Sequence, residues 1–207
     1  MLFFKKKTVT PSLLRTSDST ALREAYNRIR TNLAARLAGV EHPIVGVASP
    51  AAGEGSAACA ENLALAFARL GRRVLLVDAD FRAETAPAVF SSAVGLAELI
   101  GGESVAPVLT EAPLFVLSRG TTEENPADLL GSDAFAQKLQ ELAAAYDMVF
   151  VSLPAVNGYA DALAAAPALT GTVVSLALNA TDRRDATRAI ASLHDVGATL
   201  IGTVTVG

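Results

Sequence analysis

Apolar positions follow two rhythms along this chain. Short runs rich in valine, leucine and isoleucine recur at Ile44–Ala48, Val74–Val77, Leu114–Leu117, Met148–Val151, Thr172–Leu178 and Leu200–Val206. Runs of that length read as strands covered on both faces. Between them apolar residues return at helical spacing. Leu22, Tyr26, Ile29, Leu33 and Leu37 form one stripe. Leu63, Phe67 and Leu70 form a second, with Ala60 and Ala64 beside them, and Phe135, Leu139 and Leu142 a third. Ala186, Ile190 and Leu193 form the last.

The punctuation supports these elements. Asp18 or Ser19 can cap a first helix, which Gly39 and Pro43 close. Gly71 stops the second helix, with Arg69, Arg72 and Arg73 near its negative end. A short helix is predicted near Leu96–Ile100, broken by Gly101-Gly102, and another from Asn125-Pro126. A longer helix is predicted from about Asp133 to Ala145, and a helical crossover over Gly158–Leu169. Asp182 can cap the final helix and Gly197 can end it. Strand and helix alternate throughout, which predicts an α/β domain with a doubly wound, mostly parallel sheet. Residues 18–207 make that single domain, and residues 1–17 read as a flexible N-terminal arm without a core of its own.

Composition narrows the function classes. Of 207 residues 51% are apolar, aromatics are sparse and tryptophan is absent, which suits alanine-rich helices on a valine-rich sheet. A formal net charge of −4 argues against a nucleic-acid partner. The lone cysteine, Cys59, excludes an internal disulfide and reads as a small apolar residue packed under the first loop. His42 and His194 stand far apart and from Cys59, so no metal-ligand cluster is predicted. Met1–Phe4 is too short to span a bilayer, and Lys5–Lys7 reads as a solvated terminus or a weak tether to an anionic membrane surface.

Two stretches carry candidate chemistry. After the first strand, Gly53 and Gly55 bracket Glu54 in a tight turn that opens a helix, a geometry that aims backbone N–H groups at a phosphate. The candidate anion contacts are Gly53, Glu54, Gly55, Ser56, Ala57 and Ala58. A phosphate loop wants Gly-Lys-Ser/Thr, and here Gly55 is followed by Ser56 and Ala57. The second strand ends in Asp78-Ala79-Asp80-Phe81-Arg82. Asp78 and Asp80 could hold a metal or orient a nucleophile, or could only cap the next segment.

Together these pieces resemble the bacterial tyrosine kinases of capsule and exopolysaccharide synthesis, the CpsD/CapB/Wzc-like family, relatives of MinD and ParA among P-loop ATPases. Residues 20–206 carry the resemblance. Glu24 to Leu33 is similar to the family's N-terminal helix, which packs between subunits in a ring. Ser49–Gly55 with Glu61-Asn62-Leu63-Ala64 is similar to its phosphate loop and following helix. Val74–Arg82 matches its Asp-x-Asp-x-Arg motif. Asn125–Leu130, Ser132 and Phe135 match its Asn-Pro-x-Glu-Leu-Leu stretch with Asp128 for glutamate, and Tyr146–Val151 leads into its third motif.

The resemblance implies a P-loop NTPase-like fold, ATP or ADP with Mg²⁺ as cofactors of an active member, and a transmembrane polysaccharide copolymerase or kinase modulator as partner. It implies a homo-oligomer through Glu24, Arg28 and Arg30, and a place in the cytoplasm at the inner face of the plasma membrane. Asp78 and Asp80 become the family-equivalent catalytic residues. The departures gather at the chemistry. Ser56 stands for lysine, and Ala57 and Ser152 stand where the family has Mg²⁺ ligands. Asn27 replaces the middle arginine of the helix motif, and the C-terminal tyrosine cluster is missing. The expected function is therefore a non-catalytic or impaired relative that regulates or scaffolds polysaccharide assembly, with no certain cofactor and no metal site. An active autokinase and a MinD/ParA-like positioning ATPase are the alternatives. The surviving N–H groups of the loop predict a weak, Mg²⁺-independent anion site.

Overall fold

The computed structural model describes residues 20–83, 92–110 and 112–206. The N-terminal arm and the caps expected at Asp18 or Ser19 lie outside the described residues. In chain order the elements are α1 (Thr20–Arg36), β1 (Ile44–Ala48), α2 (Ser56–Ala68), β2 (Val74–Asp78), α3 (Leu96–Ile100), β3 (Val108–Leu109) and β4 (Phe115–Leu117). They continue as α4 (Pro126–Leu130), α5 (Asp133–Ala143), β5 (Met148–Ser152), α6 (Asp161–Ala165), β6 (Gly171–Ala177), α7 (Arg183–Asp195) and β7 (Leu200–Val206). A 3₁₀ turn, Ala166–Ala168, follows α6.

The seven strands form one sheet in the order β3-β4-β2-β5-β1-β6-β7. All pairs are parallel except β3 with β4. Every residue of β1, β2 and β5 is buried, as expected for central strands roofed on both sides. Alternate residues feed two cores. Val45, Val47, Val74, Leu76 and Phe150 face α1 and α2, whose Leu33, Leu63 and Phe67 meet them. Leu75, Val77, Val149 and Val151 face the opposite layer, with Phe135, Leu139, Ala162 and Leu193. Gly46 lets that second layer approach closely: a Cβ there would stand 2.5 Å from Leu169 Cδ1 and 2.9 Å from Leu153 Cδ1.

Several expectations need correction. Leu70 lies beyond the end of α2 and is 62% exposed, because the helix stops at Ala68. In its place nearly the whole circumference of α2 is buried from Cys59 to Ala68, under α1 and against the sheet. Leu22 is exposed, since α1 meets the core only from Tyr26 onward. The strand expected from Leu114 begins at Phe115, and α5 ends at Ala143. The crossover after β5 is helical only from Asp161. Along α7, Ala189 and Leu193 are the buried positions, while Ala186 and Ile190 are half-buried. The two exposed residues of β3 were not expected as a strand; their identity comes from antiparallel pairing with β4.

Candidate functional site

β1, β5 and β2 lie side by side and parallel, so their carboxyl ends share one edge of the sheet. That edge is where ligands bind in open α/β sheets. The glycine loop and the Asp78–Arg82 segment therefore meet at that edge. A cleft of about 470 Å³ separates them, lined by Ser49, Gly53, Ser56, Asp80, Arg82 and Tyr159 among others.

The loop owes its shape to backbone geometry. Gly53 and Gly55 hold φ of 80° and 78°, the left-handed region that favours glycine. Gly55 also abuts the last strand, where an added Cβ would lie 3.1 Å from Val206 Cγ2. It caps α2 without offering a side-chain acceptor. The side chains that act here turn inward. Glu54 is buried, and its Oε2 accepts from Ala51 N–H at 2.9 Å. Ser49 Oγ donates to Ala51 O at 2.8 Å. Ser56 and Ala57 are half-buried and Ala58 is exposed.

The acidic segment is held by side chains. Asp78 Oδ1 accepts from Asp80 N–H at 3.0 Å. Asp80 Oδ1 accepts from the N–H groups of Arg82 and Ala83, each at 3.1 Å. Arg119 Nη1 donates to Asp80 O. Both carboxylates therefore cap the turn, but Asp78 keeps something in reserve. Its Oδ2 is buried without a hydrogen-bond partner, and so is Ser152 Oγ. The two residues are register partners at the ends of adjacent strands. Burial pushes the Asp78 carboxyl up to about 6, against the opposing pull of Asp80 N–H and Arg119.

Arg82 reaches away from the loop. Its Nε donates to Asp161 Oδ2 at 2.8 Å and its Nη2 to Asp161 Oδ1 at 3.1 Å, a bidentate pair with a fully buried carboxylate. The same Nη2 donates to Asn125 Oδ1 at 3.3 Å, the atom that caps α4 through Ala127 N–H. The guanidinium lies 4.5 Å from the ring centroid of Tyr159. Asp161, Asn125 and Tyr159 were absent from the expected site residues. Asp161 reads in sequence as the first acid of a helix, and nothing local announces an arginine 79 residues away.

The residues expected at an oligomer contact lie on α1, away from the cleft. Glu24 and Arg28 are exposed there. Arg30 is engaged within the chain: its Nη1 donates to Asn27 Oδ1 at 3.1 Å and to Ala66 O of α2 at 3.2 Å. Asn27 in turn donates to Glu24 Oε1 at 3.3 Å. No helix among the described residues is long and apolar enough to cross a membrane.

No protein-family model matches the chain. Individual proteins do. The chain is 33% identical over 187 residues to the tyrosine-protein kinase YwqD of Bacillus subtilis, covering 87% of this chain and 79% of that one. Among solved structures it is similar to the chimerical protein CapA2B2, with a TM-score of 0.80 and 28% identity over 88% of this chain and 83% of that one. The MinC:MinD cell division complex of Aquifex aeolicus matches with a TM-score of 0.61 at 17% identity, over 79% of this chain and 67% of that one. That last likeness concerns the fold alone.

Proposed function

The chain belongs to the bacterial tyrosine-protein kinase family of YwqD, and from that premise we propose that it is a non-catalytic member, a regulator or scaffold of capsular or exopolysaccharide assembly. Phosphoryl transfer rests on positioning and on neutralising charge around the transferred group. The observation that carries the proposal is the charge of the cleft. Among its described lining residues the cation is Arg82, whose Nε and Nη2 are spent on Asp161 and Asn125, leaving Nη1 alone to face an anion. None of its described lining residues is a lysine, and Ser56 stands at the position that would carry one.

The donor set for Mg²⁺ is equally thin. Mg²⁺ demands near-octahedral oxygen coordination. At the strand ends Asp78 Oδ2 and the neutral Ser152 hydroxyl are buried without partners, Asp80 lines the cleft with its Oδ1 already tied to the turn, and Ala57 offers only a methyl group. On this reading the residues do not fit a Mg–nucleotide. The anion site of the loop is reduced to the N–H groups that Glu54 leaves free, and it is weak.

As a scaffold the chain would work at the inner face of the plasma membrane with a transmembrane partner of the polysaccharide machinery. Glu24 and Arg28 are exposed on α1, where contact between copies would form.

The test is incubation of the chain with ATP and Mg²⁺, alone and with the cytoplasmic tail of a candidate membrane partner, followed by phosphotyrosine mass spectrometry. No modification is expected. Stoichiometric modification that vanishes in Asp78→Ala overturns the proposal. Calorimetry sharpens it. The double variant Ser56→Lys/Ala57→Thr should bind ATP about 10-fold or more tightly than the parent and acquire a Mg²⁺ dependence, since it adds a charge-assisted contact and a metal ligand together. Micromolar, Mg²⁺-dependent binding by the parent chain would overturn the reading.

A further inference from the structure

The chain has three tyrosines, and all lie among the described residues. Tyr26 sits between α1 and α2 and Tyr146 just before β5, each 6% exposed. Burial pushes the Tyr26 phenol up to about 12 and raises that of Tyr146. Tyr159 differs from both, at 47% exposed. It lies in the turn between β5 and α6, and hydrogen bonds fasten that turn to the glycine loop. Val156 N–H donates to Ser49 O at 2.9 Å and Asn157 N–H to Pro50 O at 3.1 Å. Tyr159 is thereby set at the cleft wall, sharing it with Gly53 and Ser56, with its ring against Arg82.

We propose that Tyr159 is a phosphorylation site, modified in trans by a catalytically complete tyrosine kinase using a nucleoside triphosphate. The proposal rests on the non-catalytic reading above. In the step, the phenolic oxygen of Tyr159 attacks the γ-phosphorus. The bond from that phosphorus to the bridging oxygen breaks, the nucleoside diphosphate leaves with the electron pair, and the phenolic proton passes to the kinase's own base.

Tyr159 suits this role on three counts. It is the tyrosine that a second enzyme can reach. It lies in a turn, so an incoming active site need not unwind a helix or strand. Its surroundings offer donors to the product, beside the Asp80 carboxylate that lines the same cleft. A phosphotyrosine brings a charge of about −1.5 to −2. Arg82 donates to Asp161 and Asn125 through Nε and Nη2, which leaves the Nη1 hydrogens for a phosphate oxygen. The positive end of α2 begins across the cleft at Ser56. The modification would place a covalent phosphate at the mouth of a site that lacks its own lysine, and so close it to free anions.

The experiment uses the full chain, ATP and Mg²⁺, with and without an autophosphorylating kinase of the same family, read by peptide-mapped mass spectrometry. One phosphate on Tyr159 is expected, and only with the added kinase. In Tyr159→Phe the signal should fall to background. That variant keeps the ring and its contact with Arg82, and an unchanged melting curve confirms that it folds. Absence of phosphate on a chain incubated with a kinase that demonstrably modifies itself overturns the site, as does modification elsewhere with Tyr159 untouched. Phosphate on the chain incubated alone overturns the non-catalytic reading and with it the trans step.

Discussion

The glycine loop Ser49–Gly55 and the segment Asp78–Arg82 follow strands that flank β5, yet different parts of the chain hold them in shape. The loop depends chiefly on backbone: two glycines with positive φ, a close approach of Val206 and the burial of α2 below, with Ser49 and Glu54 adding one side-chain tie each to Ala51. The acidic segment depends on side chains: Asp78 and Asp80 tie the turn, and Arg82 joins it to α4 and α6 through Asn125 and Asp161. The contrast explains how a glycine loop can hold its form without the Lys-Ser/Thr pair that a phosphate loop wants. Those groups serve a ligand, whereas glycine conformation and packing serve the fold. On the other side of the cleft the polar groups serve the fold themselves, so they cannot be removed so freely.

The largest effect expected from this contrast is at Arg82. Arg82→Ala leaves the fully buried Asp161 carboxylate without its partner. Breaking a buried pair costs about 3–5 kcal/mol. Because the Arg82 side chain is 32% exposed, the lower end applies, about 3 kcal/mol. Denaturant unfolding should show it as a lower midpoint at unchanged slope. A loss as small as that of a surface substitution would break the comparison.

Asp78→Asn tests the same segment in the opposite direction. Its carboxyl is held near 6 in the folded chain against an ordinary 3.8. The folded state keeps the proton longer than the unfolded one. The stability this gives is therefore fully present below the ordinary value and is lost as pH rises through the folded one. Asparagine keeps an acceptor for Asp80 N–H and carries no charge. The variant should lose this part of the pH dependence and be more stable at neutral pH by about 2 kcal/mol. Thermal melts from acid to neutral pH decide it; a variant with the parent's pH profile would show that Asp78 does not titrate there.

Smaller effects distinguish backbone from side chain within the loop. Gly55→Ala meets both a left-handed φ and Val206, and should cost about 1–2 kcal/mol. Ser56→Ala, one residue on, should stay within about 0.5 kcal/mol. If the two substitutions cost the same in urea unfolding, the loop is not backbone-determined.

Much of this molecule is readable from local pattern. The valine-rich runs and helical stripes foretell α/β winding, and the left-handed turns at Gly53 and Gly55 follow from residues that adopt positive φ cheaply. Asn125 and Asp182 cap helices where their side chains predicted a start, and Ser132 caps the helix expected from about Asp133. The missing lysine at Ser56 is equally a local fact. What sequence could not assign are partners brought together by strand order. Arg82 finds Asp161 and Tyr159 because β2 and β5 are neighbours in the sheet. Arg30 finds Ala66 O because α1 lies on α2. Asp78 and Ser152 face each other as register partners, and both are left with a buried, unpaired oxygen. Local pattern reports how a residue bends its own backbone and which face it buries. Which distant charge neutralises it depends on chain crossings that no window of neighbouring residues contains, and those crossings made an arginine near a phosphate-type loop into a structural clasp.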